Sequence, residues 1–253
     1  TKRWSPKAVH SVISSAKNQF LSPKQFAETA FDPFNRVVAD VFPEYQKALK
    51  DQNAFDFDDL LVKPVELFEA SEQLLASYRQ RFQFVLVDEY QDTNHVQYRL
   101  VEMLSREHGN LMVVGDDDQS IYRWRGARVE HIQRFRQDFP AASVIKLEQN
   151  YRSTQRILAA ANAVIAGNRR RHDKTLRTSN PIGPPLDLWT HETDMAEAEA
   201  VAREIQVRRM TRKMRWEDFA VLYRTNPQSR VLEEALRAQN IPYHVVGGTS
   251  FFE

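Results

Sequence analysis

Phe84-Val85-Leu86-Val87-Asp88-Glu89-Tyr90-Gln91-Asp92 is the stretch on which the reading of this chain turns. Four consecutive apolar residues, two of them β-branched, predict a short strand of the kind buried on both faces of a parallel sheet. Two adjacent carboxylates stand where that strand ends, at the sheet edge where ligands gather. The pattern recurs downstream. Leu111-Met112-Val113-Val114 runs into Gly115-Asp116-Asp117-Asp118-Gln119, and a strand expected from Ser143 to Leu147 runs into Glu148-Gln149-Asn150-Tyr151-Arg152-Ser153. Helical periodicity from about Asn94 to Arg106 and from Val129 to Gln137 separates the three runs. Strands alternating with helices indicate βαβ units and an α/β fold.

On the N-terminal side the texture is all-helical. Apolar residues recur at three and four from Pro6 to Lys50, with Ser5-Pro6 and Ser22-Pro23 as helix starts, and a second helical stretch covers Asp58 to Arg81. On the C-terminal side a helix is expected from about Thr154 to Ala166, followed by the basic run Arg169-Arg170-Arg171 and a turn-rich loop from Ser179 to Pro185. The alternation then resumes with a strand Leu186 to Trp189, a helix Met195 to Thr211, a strand Phe219 to Tyr223, a helix Ser229 to Gln239 and a strand Tyr243 to Val246.

Composition bounds the function. The chain has 253 residues, a net charge of +1 from 35 basic and 34 acidic side chains, and no cysteine. One large or two modest domains fit this length. Disulfides, thiol nucleophiles and Cys-based zinc sites are excluded, and no two histidines lie three to five apart as a shared metal would require. No apolar run approaches the roughly 18 to 20 residues that cross a bilayer, and no signal-peptide core follows the basic start; a cytoplasmic protein is expected. With so small a net charge, any nucleic-acid binding must come from a local basic surface. The chain starts without Met and stops at Phe251-Phe252-Glu253, and reads as a piece of something longer.

Asp88 and Glu89 occupy the position of a Walker B pair. One carboxylate can hold Mg²⁺ through its waters while the next deprotonates an attacking water. We assign the first role to Asp88 and the second to Glu89; an acidic pair that only punctuates a surface strand end would look the same at this one place. In the second loop, three carboxylates would repel phosphates, so Asp116 to Asp118 read as structural or as an outer shell around the metal. Gln119 is the functional candidate there, a neutral amide able to bond both a phosphate oxygen and water; a solvated acidic turn is the alternative. Tyr122-Arg123-Trp124-Arg125 alternates stacking faces with phosphate partners, which suits single-stranded nucleic acid. Core packing of both aromatics is the alternative, and the arginines flanking Trp124 argue against a dry core. Arg152 follows the third strand, where a guanidinium can reach a γ-phosphate as an arginine finger, or else sits on the surface beside a helix start.

Together and in this order, Asp88 to Asn94, Gly115 to Ala127 and Leu147 to Ser153 resemble motifs II, III and IV of the superfamily 1A DNA helicases, the UvrD/Rep/PcrA family. Phe55 to Leu61 and Tyr223 to Arg230, continuing through Val246-Gly247-Gly248, are similar to further family segments. The resemblance implies two RecA-like (P-loop NTPase) lobes with parallel sheets, each interrupted by a helical insertion. It places residues 1–52 in the first insertion, 53–147 in the first lobe and 148–253 in the second. It implies ATP and Mg²⁺ as cofactors, with Asp88 the magnesium carboxylate, Glu89 the base, Gln119 the γ-phosphate sensor, Tyr151 stacked on adenine and Arg152 the finger. Tyr122, Trp124, Arg125 and, more weakly, Asn226 would contact single-stranded DNA. The partners implied are single-stranded DNA and its junctions with duplex, with no membrane.

One departure matters. The family's phosphate loop, G-x-x-x-x-G-K-[ST], is absent: the seven glycines (109, 115, 126, 167, 183, 247, 248) offer no such spacing and no Gly-Lys pair occurs. Two readings follow. The chain is a fragment of an ATP-driven helicase moving 3′ to 5′ on single-stranded DNA in repair or replication restart, or it is a non-catalytic binding module that lost the motor. A base, a sensor and a finger together favour the first.

Overall fold

Each of the first three helices opens on a capped proline. In the computed structural model, which describes residues 4–168 and 172–246, α1 (Pro6–Asn18) starts at Ser5, whose Oγ accepts the Ala8 amide. Ser22 and Gln25 form a reciprocal capping box at α2 (Pro23–Thr29), and Asp32 accepts two amides at α3 (Pro33–Asp51). Proline at the first helical position loses no hydrogen bond, because that amide has no intrahelical partner. The three helices close a core of Ile13, Ala16, Phe26, Ala30, Val38 and Phe42.

At the edge of this cluster lies a buried ion triplet. Lys17, 3% exposed, places Nζ 2.7 Å from Asp56 and 3.0 Å from Asp59. Tyr45 donates to Asp56 at 2.9 Å, and burial with that carboxylate pushes its phenol up to about 12. Phe55 and Phe57 point outward and Asp56 turns in, so this motif segment joins α1 to α4 (Asp59–Ala70). α5 (Glu72–Arg81) leads into the sheet.

β1 (Val85–Val87) and β2 (Leu111–Val113) pair in parallel, Val85 opposite Leu111 and Val87 opposite Val113, with α6 (His95–Ser105) as the crossover. This is the βαβ unit expected from the sequence. Asn94 and Gln97 box the N-terminus of α6, and Val62, Val65 and Val96 pack α4 against α6. One sheet face stays open: Leu86 and Met112, paired across the strands, are 72% and 57% exposed.

Several expected elements differ. The helix expected over Val129 to Gln137 is two short pieces, α7 (Glu130–Gln133) and α8 (Phe135–Asp138), broken where Arg134 leaves helical geometry (φ −94°, ψ 0°). Residues 143–147 form no strand, and Val144, Ile145 and Leu147 are exposed. An isolated parallel bridge, Gln149 to Arg177, lies just beyond them, followed by α9 (Gln155–Ile165).

The chain divides into two compact units, Thr1–Gly183 and Pro184–Glu253. In the second, α10 (Asp194–Arg212) and α11 (Pro227–Ala238) pack through Ala198, Ala202, Ile205, Ala235 and Leu236 with Ile241. The strands expected at Leu186 to Trp189, Phe219 to Tyr223 and Tyr243 to Val246 are irregular, with Leu188 and Leu222 each 91% exposed. A strand without a neighbour has nowhere to send its amides and carbonyls but water. The described residues are therefore mostly helical with one two-stranded parallel sheet. The basic run 169–171 and the Gly247-Gly248 segment lie outside the described residues.

Candidate functional site

β1 delivers Asp88 and Glu89 to its C-terminal end, both exposed. Asp88 Oδ1 accepts the Glu89 amide at 2.9 Å, and Glu89 is left-handed (φ 50°, ψ 42°). A non-glycine residue held there costs of order 1 to 3 kcal/mol and persists only where its surroundings impose it. The surroundings are visible. The ladder runs past the strands, with the Val114 amide donating to Val87 and the Tyr90 amide to Val114, which pins the chain on both sides of Glu89.

Gln91, 1% exposed, is the centre of the site. Its Nε2 donates to Glu89 Oε2 at 2.7 Å, and its Oε1 accepts the Asp116 amide at 3.0 Å. One buried side chain thus orients the candidate base and holds the next loop. Gly115 makes the approach possible: a Cβ there would stand 2.5 Å from Gln91 Oε1 and 2.9 Å from Ile132 Cδ1. Asp116 Oδ2 in turn accepts Nε2 of Gln119 at 2.7 Å. Glu89, Gln91, Asp116 and Gln119 therefore form one hydrogen-bonded series across the two strand ends. Burial and the nearby Glu89 charge push the Asp92 carboxyl up, partly offset by the backbone amide of Tyr122.

The acidic triplet holds a side-chain cation. Its ligand oxygens lie within 4.8 Å of one another. Lys174 Nζ sits 2.6 Å from Asp116 and 3.1 Å from Asp118, and also contacts Asp117. The His172 amide donates to Asp117 Oδ2 at 2.6 Å. The triplet's structural reading fits this arrangement.

Beyond it, the 3-10 turn Arg123–Arg125 ends at Gly126, whose φ of 84° suits glycine. Trp124 is 68% and Tyr122 39% exposed, their rings 6.4 Å apart and tilted. Trp124 and Arg123 line a cavity of about 970 Å³ with His95, Tyr98, Arg128 and His131. His131 stacks on Tyr98 at 4.6 Å and lies 3.1 Å from Thr93 Oγ1. Thr93 spends its hydroxyl proton on the Tyr90 carbonyl, so the His131 Nδ1–H is the donor to Thr93. Burial, then the Arg128 charge, lowers His131 to about 4, so the ring is neutral. Asn94 donates to Asn18 at 2.6 Å and Asn18 to Asp58 at 2.9 Å, tying this wall to α1.

Three candidates stand apart. Tyr151, 82% exposed, and Arg152 lie on a turn in which Asn150 Oδ1 accepts the amides of Arg152 and Ser153. Among the described residues Arg152 makes no ion pair. Asn226 stands at the start of α11 in the second unit. The side chain of Arg125 lies outside the described residues. Sequence reasoning missed Gln91 and Lys174. Gln91 lay inside the quoted motif without a role, and Lys174 had no local signal except that three adjacent carboxylates need a counter-charge.

A strand-end carboxylate pair is thus joined through a buried amide to a second strand-end loop. The UvrD/REP helicase N-terminal domain profile matches residues 1–140 and the UvrD-like helicase C-terminal domain profile matches residues 145–253, and the chain belongs to this helicase family. It is 46% identical over 252 residues to the ATP-dependent DNA helicase PcrA of Bacillus subtilis (strain 168), and 47% identical over 253 residues to that of Leuconostoc citreum. The PcrA of Staphylococcus aureus (strain Mu50 / ATCC 700699) is 45% identical over 253 residues. In each case all of this chain is covered but only 34% of the relative's length.

Proposed function

We propose that this chain is the central segment of an ATP-dependent DNA helicase that moves 3′ to 5′ along single-stranded DNA and opens duplex at junctions, in repair or replication restart in the cytoplasm. The hydrogen-bonded series Glu89–Gln91–Asp116–Gln119 carries the reading. A pure binding module has no use for an exposed carboxylate held left-handed and aimed by a buried amide. Residues 1–52 then belong to the first insertion, 53–147 to the first RecA-like lobe and 148–253 to the second.

Asp88 suits a hard cation that keeps most of its waters, since it offers exposed carboxylate oxygen and little else. The Asp116 to Asp118 cluster does not suit one, because the Lys174 ammonium already occupies the point where its three carboxylates converge. Bound Mg²⁺ would supply charge neutralisation between the β- and γ-phosphates. Glu89 takes the proton of the attacking water, and Gln91 keeps its carboxylate oriented. Gln119 spends one amide N–H on Asp116, which leaves its second N–H for a phosphate oxygen and its Oε1 to accept from water. Tyr151 stacks on the adenine and Arg152 meets the γ-phosphate; both are exposed, as groups awaiting a ligand must be. Tyr122, Trp124, Arg125 and Asn226 contact the single strand.

The chain has no phosphate loop, so by itself it should hydrolyse no appreciable ATP. The test is a chimera in which it replaces the matching third of the Bacillus subtilis relative. DNA-stimulated turnover should appear, fall roughly 10² to 10⁴-fold in Glu89→Gln and fall roughly 10³ to 10⁵-fold in Arg152→Ala. A well-folded chimera that binds single-stranded DNA without turnover would favour the binding module instead.

A further inference from the structure

We propose that Lys174 is a positioning residue that fixes Gln119 through Asp116 and ties the Gly115 to Gln119 loop to the strip bearing Tyr151 and Arg152. The consequence for catalysis rests on the reading of Gln119 and Arg152 given above; the connection itself does not. An ammonium has three N–H groups spread tetrahedrally, and Lys174 faces three carboxylates, one from each of Asp116, Asp117 and Asp118. Asp117 and Asp118 are only 2% and 7% exposed, so their charges are poorly screened and would drive the turn apart without a cation. Lys174 binds Asp116 through Oδ1, leaving Oδ2 for the Gln119 amide. Burial alone would raise the Asp116 carboxyl, and the Lys174 and Gln119 hydrogen bonds more than offset it, so it lies below its usual range.

The other end of the connection is equally specific. The Thr175 amide donates to Glu148 Oε1 at 3.1 Å, the Arg177 amide to the Glu148 carbonyl at 2.9 Å and the Asn150 amide to the Arg177 carbonyl at 2.7 Å. Asn150 then accepts the Arg152 amide at 3.1 Å. A continuous route of ion pairs, hydrogen bonds and two short backbone segments thus runs from Gln119 through Asp116, Lys174 and residues 174–177 to Arg152. Lys174 lies in the part matching the C-terminal domain profile and its three partners in the part matching the N-terminal one. No other ion pair among the described residues crosses between those two parts except His172 with Asp117, two residues away.

The experiment is side-chain and backbone amide NMR of the intact chain, comparing Lys174→Met with Lys174→Arg. In Lys174→Met the Gln119 side-chain amide should move toward free-amide values, and the amides of Gly115 to Gln119 and of Arg152 should exchange about tenfold faster or more. Resonances of α1 to α3 should not move. Arg, whose planar fork cannot reproduce the tetrahedral spread of the ammonium, should restore protection only in part. If Met does not fold, the double variant Lys174→Gln with Asp117→Asn removes both charges and is read the same way. An unmoved Gln119 amide in a folded variant lacking the 174 charge overturns the proposal. In the chimera, Lys174→Met should lower kcat about tenfold with the ATP KM within about twofold, because orientation and not binding is lost. Loss of KM alone would also overturn it. If Gln119→Ala leaves turnover intact, the catalytic reading fails while the NMR comparison still decides the connection.

Discussion

The three-helix cluster of α1 to α3 and the β1–β2 sheet use the same apolar residue types and end in opposite states. Val38 and Phe42 are 0% and 1% exposed, whereas Leu86 and Met112 in the middle of their strands are 72% and 57% exposed. Helices satisfy their own backbone and need only a nearby apolar face, and α1 to α3 find one within fifty residues of chain. Strands need neighbours for both backbone and side chains, and among the described residues β1 and β2 have no strand partner but each other. The site draws on both regions, through the β1–β2 ladder that pins Glu89 on both sides and through Asn18 of α1, which holds Asn94. It rests further on polar side chains that link its segments: the buried Gln91, Asn94 and His131 and the half-buried Asp116.

Breaking the helical region should cost most. Lys17→Met would leave Asp56 and Asp59 buried with no cation, at about 3 to 5 kcal/mol, seen as a lower urea midpoint with unchanged slope. Asp59 Oδ1 depends wholly on Lys17, which lies 3.0 Å away but outside hydrogen-bonding direction. A loss below about 1 kcal/mol would mean that water reaches the triplet and that the region is less closed than its burial indicates.

The wall of the cavity should respond to pH. Native His131 resists protonation down to about 4, while an unfolded histidine takes a proton near its usual 6.5. The unfolded state therefore binds more protons between these values, and stability falls as pH drops through that window by about 1 to 3 kcal/mol, with no further loss from this group below it. His131→Gln should remove that part of the slope in denaturation curves taken from pH 7 to 4; parallel curves for the two proteins would show that the ring is protonated in the native state.

Gly115→Ala should cost a similar amount, about 1 to 3 kcal/mol, because the new methyl meets Gln91 Oε1 and Ile132 at once. Its effect on turnover in the chimera should be larger than its effect on stability, since Gln91 cannot move without releasing Glu89. The smallest expected change is on the sheet. Leu86→Ser with Met112→Ser should alter stability by less than about 0.5 kcal/mol and reduce self-association of the chain in sedimentation. A large destabilisation would show that this face is covered in solution.

Apart from the stretch Val129 to Gln137, which breaks at Arg134, the helices and the first βαβ unit were legible in the linear chain. Ser5-Pro6, Ser22-Pro23 and the Asn94–Gln97 box act within one turn, so local pattern and structure agree. The strands expected at 143–147, 186–189, 219–223 and 243–246 have the right composition, but a strand is completed by another strand, and that is not a local property. The same distinction holds in the site. Asp88, Glu89 and Gln119 were proposed from residue type just past a strand end, and Trp124 from its alternation with arginines. Gln91 as the joint between two loops, the left-handed Glu89 and the seating of Lys174 on three aspartates were not.

Residue order by itself determined where the capped helices begin, where β1 and β2 end and which side chains carry charge at those ends, because capping, periodicity and strand-end chemistry act over a few residues. Only the tertiary structure decided which of those charges neutralise each other and which amide aims which carboxylate. Lys174 and Asp116 are 58 residues apart, and Gln91 and Asp116 are 25 apart. Contacts at such separations are set by how the loops pack, since a buried polar group must find whatever partner the fold brings within hydrogen-bonding reach.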